Sequence, residues 1–271
     1  MSPLSQWPEA DRRQILGVFT DIDDTLTTDG VVPPSTVQAL ADLKAAGLHV
    51  IPITGRPVGW SEPFARDWPV DAIVAENGAV ALTTSPTGLQ PAPALRGALS
   101  KLYQQSDAVR AANFARMQQV AQRVLRDVPG ARLARDSAGR ETDIAIDHSE
   151  FAHLTPAQVE AVVRTMQAEG MTATVSSIHI NGWYGDHNKL DGARWIVRTL
   201  LGRALDAELQ RWVYVGDSTN DQLMFEHFPH SVGVANIRRF EAQLTHKPRY
   251  ITPGERGEGF AEVARAVLAA R

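Results

Sequence analysis

An apolar run, Ile15-Leu16-Gly17-Val18-Phe19, passes through Thr20 and stops at Asp21-Ile22-Asp23-Asp24-Thr25. The run reads as a buried strand, because short apolar stretches bounded by polar residues bury both faces. It ends in three carboxylates within four residues. Carboxylates so close repel one another, so a fold that gathers them needs a compensating charge or a chemical use for them. A divalent cation is one such charge, since hard cations take oxygen ligands. Covalent catalysis is one such use, since an aspartate can carry a phosphoryl group. An acidic loop that caps the next helix is the plain structural alternative.

The first third continues as strand and helix in alternation. Pro33-Pro34-Ser35 starts a helix, with Ser35 as a candidate N-cap and Val37, Leu40, Ala41 and Leu43 on one face. Leu48–Ile53 is a second strand ending at Thr54-Gly55-Arg56-Pro57, and Ala72–Ala75 is a third. The final third repeats the pattern: strands at Trp212–Gly216 and Ser231–Ala235, a helix from about Asn220, and a closing helix over Glu258–Ala270. This order predicts a parallel sheet covered by helices, a Rossmann-like α/β core. The middle reads differently. It has a long helix at Ala108–Asp127, an alternating strand at Thr142–Asp147 with one exposed face, a helix capped by Thr155-Pro156, and strands at Met171–Ser176 and Ile178–Tyr184. That is an inserted α+β domain, expected over 84–185, with the core formed by 1–83 and 186–271. Thr83 through Gly88, with Pro91 and Pro93, is the most linker-like stretch.

Composition narrows the function classes. Net charge is −4 and the arginines are scattered, which argues against a nucleic-acid surface. Cysteine is absent, which removes disulfides and thiolate chemistry. No apolar run reaches the ~20 residues that span a bilayer, and Met1–Glu9 lacks the pattern of a signal peptide. The expectation is a cytoplasmic protein without nucleic-acid or membrane partners. The oligomeric state is left open.

In an open parallel sheet, ligands bind at the carboxyl ends of the strands. Asp21 and Asp23, Thr54, and Asp217 all follow inferred strands, and Lys189 opens the helix that returns to the core. Their types and order resemble the haloacid dehalogenase-like phosphatase superfamily. Asp21-Ile22-Asp23-Asp24-Thr25 is similar to its first motif, Thr54-Gly55-Arg56 to its second, Lys189 to its third, and Gly216-Asp217-Ser218-Thr219-Asn220-Asp221 to its fourth. The insertion lies between the second and third motifs, as in the subclass with a C2-type cap, and Glu76-Asn77-Gly78 is also typical there. That subclass includes sucrose-, trehalose- and mannosyl-phosphoglycerate phosphatases; phosphomannomutases share its cap type. Two positions depart from the pattern. Asp24 stands where glycine is common, and we read it as a helix cap. Leu190 follows Lys189 where many relatives have glycine.

The resemblance implies an Mg²⁺-dependent phosphomonoester hydrolase acting through an aspartyl-phosphate on a sugar phosphate or similar small phosphorylated metabolite. Asp21 would be the nucleophile and Asp23 the general acid and base. Thr54 and Lys189 would hold the phosphoryl group. Asp21, the Asp23 carbonyl and Asp217 would bind Mg²⁺, and Asn220 and Asp221 would orient the lysine and the metal ligands. Arg56, Asn77, His179 and Asn181 are candidates for substrate contact. Arg132, Arg135 and Arg140 crowd one segment and could meet a second anionic group, and Trp60 and Trp183 could wall a sugar. Surface and core packing are the ordinary roles of such residues. A phosphohexomutase, which would need a bisphosphate activator, and a non-catalytic phosphate- or metal-binding module are the alternatives.

Overall fold

The computed structural model describes residues 1–84 and 98–271; most of the linker-like stretch, including Pro91 and Pro93, lies outside the described residues. The chain enters through β1 (Ser2–Pro3) and α1 (Glu9–Arg13), then forms β2 (Gly17–Thr20), α2 (Pro34–Ala45), β3 (His49–Pro52), α3 (Val58–Asp67) and β4 (Ile73–Ala75). The start of α2 differs from expectation. Pro33 and Pro34 set the first turn and no side chain caps it, so Ser35 lies inside the helix. Proline's fixed φ is already helical, which makes a side-chain cap dispensable. A hairpin follows, β5 (Val80–Thr83) with β6 (Ser100–Tyr103).

The middle of the chain supplies α4 (Asp107–Asp127), β7 (Arg132–Leu133), β8 (Ile144–Asp147), α5 (Pro156–Ala168), β9 (Thr172–Val175) and β10 (His179–Trp183). The chain then returns through α6 (Lys189–Leu201), β11 (Trp212–Gly216), α7 (Gln222–His227), β12 (His230–Gly233), β13 (Tyr250–Ile251) and α8 (Arg256–Leu268).

The central sheet has six strands in the order β1-β13-β12-β11-β2-β3, and every pairing in it is parallel. A parallel bridge between Ile53 and Val74 carries the order on to β4, where the antiparallel β5 and β6 extend the edge. Side chains alternate across the sheet. Val18, Val50, Val213 and Val215 pack with α2 and α8, whereas Phe19, Ile51, Trp212 and Tyr214 pack with α6 and α7. Helices therefore cover both faces, as a Rossmann-like core requires.

The middle segment forms a second layer. Its sheet runs β7-β8-β10-β9 and is antiparallel throughout. Met117, Val120 and Val124 of α4 and Val162 and Met166 of α5 cover one face, meeting Ile144, Ile146 and Ile180. Thr155 caps α5 through a reciprocal pair with Gln158. The expectation that Thr142–Asp147 has one exposed face is corrected: all of Ile144–Asp147 is buried, and Thr142 and Asp143 with it. The alternation is real, but the polar face is turned onto the carboxyl edge of the central sheet instead of water. β6 is hydrogen-bonded to β5 at the core edge, and α4, the first helix of the second layer, begins at Asp107.

Candidate active site

The ends of β2 and β11 lie side by side, since the two strands are paired from Gly17–Trp212 to Thr20–Val215. Each stops at an aspartate. The Asp21 N–H donates to the Val215 carbonyl at 2.8 Å, which fixes the first carboxylate beside the second strand's terminus. Lys189 reaches the pair from the first turn of α6, a helix capped by Asn188, whose Oδ1 accepts from the Asp191 N–H. Its Nζ donates to Asp21 Oδ1 and to Asp221 Oδ1, both at 2.7 Å, and it is 3% exposed. The turn that presents Lys189 depends on close backbone approach. A Cβ at Gly78 would lie 2.3 Å from the Asn188 carbonyl oxygen, and one at Gly192 would lie 2.6 Å from the Gly78 Cα. Gly192, three residues beyond the lysine, gives this chain a glycine against the Gly78 turn on the same helix.

Asp221 is fully engaged. Its Oδ1 also accepts from the Tyr214 hydroxyl, and its Oδ2 accepts from the N–H groups of Asp217 and Ser218 at 2.9 and 3.2 Å. A Cβ at Gly216 would meet that Oδ2 at 2.4 Å, so glycine is what allows the carboxylate to fold back. Asp217 is different. Its Oδ2 accepts from Asn236 Nδ2 at 3.0 Å, but its Oδ1 is buried with no partner.

Asp21, Asp217 and Asp221 offer carboxylate oxygens within 4.8 Å of one another. One lysine faces three buried carboxylates. Burial pushes Asp21 up to about 7 despite Lys189, with Asp221 and Asp23 adding to the rise. Burial raises Asp217 further above the carboxylate range, reinforced by Asp21 and Asp221. Such carboxylates lack positive charge, and the unpartnered Asp217 Oδ1 is where another cation would be met. The donors are all hard oxygens, which suits Mg²⁺. Asp221 is bonded on both oxygens, so the residues that fit as metal ligands are Asp21 and Asp217.

Thr54 follows β3 and is wholly buried; its Oγ1 accepts from the Arg56 N–H at 3.0 Å. Asp23 lies toward the second layer, and its carboxylate accepts from Arg56 Nε at 2.9 and 3.0 Å. Burial raises its pKa and Arg56 opposes the rise. The same guanidinium donates to Asp136 Oδ2 at 3.1 Å and Glu150 Oε1 at 2.8 Å, both from the second layer. His179 Nε2 contacts Glu150 Oε2 at 2.9 Å. Burial pushes Glu150 upward, but the bonds from His179 and Arg56 prevail and hold it at about 2. Further along, Arg140 donates to the Gly55 carbonyl at 3.0 Å and to Asp143 at 2.8 and 3.0 Å, and Asn181 donates to Asp143 at 2.9 Å. Glu76, with φ +49°, accepts from the N–H groups of Val58, Glu141 and Thr142. Asn77 stands next, its Nδ2 buried without a partner.

The structure thus brings Asp21, Lys189, Asp217 and Asp221 into one cluster and Asp23, Arg56 and His179 into an adjoining one. It does not join Asn220 to the lysine: the Asn220 Oδ1 accepts from the Ser218 hydroxyl at 2.8 Å. Asp24 caps no helix, because α2 begins ten residues later at Pro34; its carboxylate pairs with Arg256 at 3.1 Å. Arg132 and Arg135 are exposed, and Arg140 is buried and neutralised. Trp183 is 1% exposed and packs within the second layer's core, and Trp60 packs beneath Arg56. The aromatic ring beside Asp23 belongs to Phe151.

Tyr214, Asn236, Asp136 and Glu150 escaped the sequence reading. Asn236 had a usable signal, since it lies just past β12 at the same sheet edge. Tyr214 shows as the polar residue inside an apolar strand. Asp136 and Glu150 carry no local signal.

A family model for the haloacid dehalogenase-like hydrolases matches residues 18–90, which include Asp21, Asp23, Thr54 and Asn77. Comparison with curated proteins gives no match. Among solved structures, a protein from Thermoplasma acidophilum superposes with a TM-score of 0.68 at 15% identity, over 94% of this chain and 98% of its own. A sugar phosphatase of HAD subclass IIB superposes at 0.63 and 16%, over 94% and 99%. A sucrose-phosphatase from Synechocystis, solved with sucrose and phosphate, superposes at 0.61 and 13%, over 94% and 98%. The chain therefore has the Rossmann-like fold of the haloacid dehalogenase-like proteins, and residues 18–90 carry that family's sequence pattern. Among the described residues no helix is long and apolar enough to cross a membrane.

Proposed function

We propose that this protein is a Mg²⁺-dependent phosphomonoester hydrolase acting on a sugar phosphate or similar small phosphorylated metabolite. The observation that carries the reading is Asp21 held 2.7 Å from Lys189 beside Asp217, whose second oxygen is buried and unpartnered. An aspartate used only for structure has no reason to be placed between a lysine and an unsatisfied carboxylate.

Asp21 attacks phosphorus. A P–O bond forms to its carboxylate as the ester P–O bond breaks, and Asp23 gives the leaving oxygen its proton. Water then attacks the aspartyl-phosphate. Asp23 takes the water's proton, inorganic phosphate leaves, and Asp21 is restored. Lys189 holds positive charge beside the approaching anions, and Thr54 offers its hydroxyl to a phosphoryl oxygen. Asp21, Asp217 and the Asp23 carbonyl would hold Mg²⁺, which when bound neutralises the charge brought together by two anions. Asp221, fixed by Tyr214 and two backbone N–H groups, keeps Lys189 aimed. Arg56 sets the orientation of Asp23. The protein acts as a soluble-phase enzyme in this reading, with the second layer as its cap.

The test is phosphate release from a panel of sugar phosphates, phosphoglycerates and nucleotides, with Mg²⁺, with chelator, and with Asp21→Asn. Release that requires both Mg²⁺ and Asp21 supports the reading. Absence of release from every ester overturns it.

A further inference from the structure

The two loops that would supply the metal ligands are tied together by one side chain. Asn236 follows β12 and is 2% exposed. Its Nδ2 donates to the Asp24 carbonyl and to Asp217 Oδ2, both at 3.0 Å. Its Oδ1 accepts from the Arg256 N–H at 2.9 Å. Both amide hydrogens and the amide oxygen are therefore committed. Turning the amide over would set its oxygen against a carbonyl and a carboxylate, so one orientation alone satisfies the three partners. Arg256 secures this node from the far side. It opens α8 at φ +55°, a conformation that costs a non-glycine residue energy and persists where surrounding contacts hold it. Its guanidinium pairs with the Asp24 carboxylate at 3.1 Å and with Asp29 at 2.6 Å.

The partners of Asn236 define what it does. Asp24 directly follows Asp23, whose carbonyl is one of the proposed ligands, and Asp217 is another. The amide therefore sets the spacing between the loop after β2 and the loop after β11. It also separates the two oxygens of Asp217. Oδ2 is spent on the amide, while Oδ1 is buried without a partner. A carboxylate pinned in this way offers a cation one oxygen. That suits Mg²⁺, which is small and needs near-ideal octahedral geometry. Ca²⁺ is larger, accepts irregular geometry and readily takes both oxygens of one carboxylate. Without the amide, Oδ2 would be free to turn toward the ion and the two loops would be free to separate. Both changes disfavour the small cation more than the large one.

We propose that Asn236 is the positioning residue of the cation site and biases that site toward Mg²⁺ against Ca²⁺. The inference rests on the reading of Asp217 as a metal ligand.

The experiment is calorimetric titration of the full chain with Mg²⁺ and, separately, with Ca²⁺, for the wild type and for Asn236→Ala. Mg²⁺ affinity should fall about 10- to 100-fold, the usual cost of losing a group that orients a metal ligand. Ca²⁺ affinity should fall by a clearly smaller factor, so the Mg²⁺-to-Ca²⁺ ratio drops severalfold. A merely structural role would weaken both ions alike. Asn236→Ser, smaller and still polar, gives the same reading should the alanine variant not fold. Equal or greater loss for Ca²⁺, or unchanged Mg²⁺ affinity, overturns the inference and leaves the metal-dependent phosphatase reading standing. A wild-type protein that binds no Mg²⁺ overturns both.

Discussion

Lys189 and Arg56 are both buried cations set among carboxylates, and they make opposite uses of that setting. Lys189 has Asp21, Asp217 and Asp221 around it, all from the central sheet's edge. Arg56 has Asp23 from the core and Asp136 and Glu150 from the second layer. Around Lys189, burial wins and Asp21 rises to about 7. Around Arg56 the outcome is divided: burial still raises Asp23, while the bonds from His179 and Arg56 hold Glu150 at about 2. Each carboxylate of this second cluster nevertheless has a cation within hydrogen-bond reach, whereas the Asp217 Oδ1 of the first has no partner. The first cluster is a fixed site open to one more cation. The second is a clasp between two parts of the chain.

The sharpest way to break this distinction is Asp21→Asn. Phosphate release should fall by about 10⁴-fold or more with the fold intact, as expected for loss of a nucleophile; single-turnover assays and near-ultraviolet circular dichroism check both halves. Next is Lys189→Met. It leaves buried carboxylates without their cation and should cost about 3–5 kcal/mol in urea unfolding. Added Mg²⁺ should recover part of that loss, and failure to do so would mean that the cluster takes no metal. Arg56→Lys keeps the charge but loses the planar fork that spans three carboxylates. Turnover should fall about 10- to 100-fold, the range for general acid–base groups that lose their setting, with Mg²⁺ affinity unchanged. A parallel fall in metal affinity would show that the two clusters act as one.

The smallest effect concerns pH. The folded pKa of Asp21 lies above its ordinary value, so protonation stabilises the metal-free fold below about 4, and that contribution is lost as pH rises toward 7. His148, His187 and His230 are lowered by burial and act in the opposite sense, so the informative quantity is a difference. Metal needs the ionised carboxylate, so the rise in melting temperature given by Mg²⁺ should grow from pH 5.5 to pH 7.5. A constant increment would remove Asp21 from the metal's ligands.

The Lys189 cluster was legible because each member ends a strand or opens a helix, and a polar residue after an apolar run is visible locally. The strands at Trp212–Gly216 and the helix cap at Thr155 were legible for the same reason. The Arg56 clasp was not. Its partners lie 80 and 94 residues away, and nothing around Asp136 or Glu150 marks them. The alternation at Thr142–Asp147 announced a polar face correctly, but a polar face against water and one against a charged protein edge have the same pattern. Trp183 and Phe151 exchange roles for a related reason: size alone favours Trp183 as a wall, whereas exposure, a tertiary property, belongs to Phe151.

The polar face between the two layers has a thermal consequence. Separating them would hydrate Arg56, Arg140, Asp143, His179 and Asn181, all buried and all polar, together with the partly buried Glu150. Hydrating apolar surface raises heat capacity and hydrating polar surface lowers it. Opening would therefore carry a small or negative heat-capacity change, far from the large positive value of unfolding. The balance between closed and open forms would then follow a nearly straight van 't Hoff line over temperatures at which the stability of the fold itself is strongly curved.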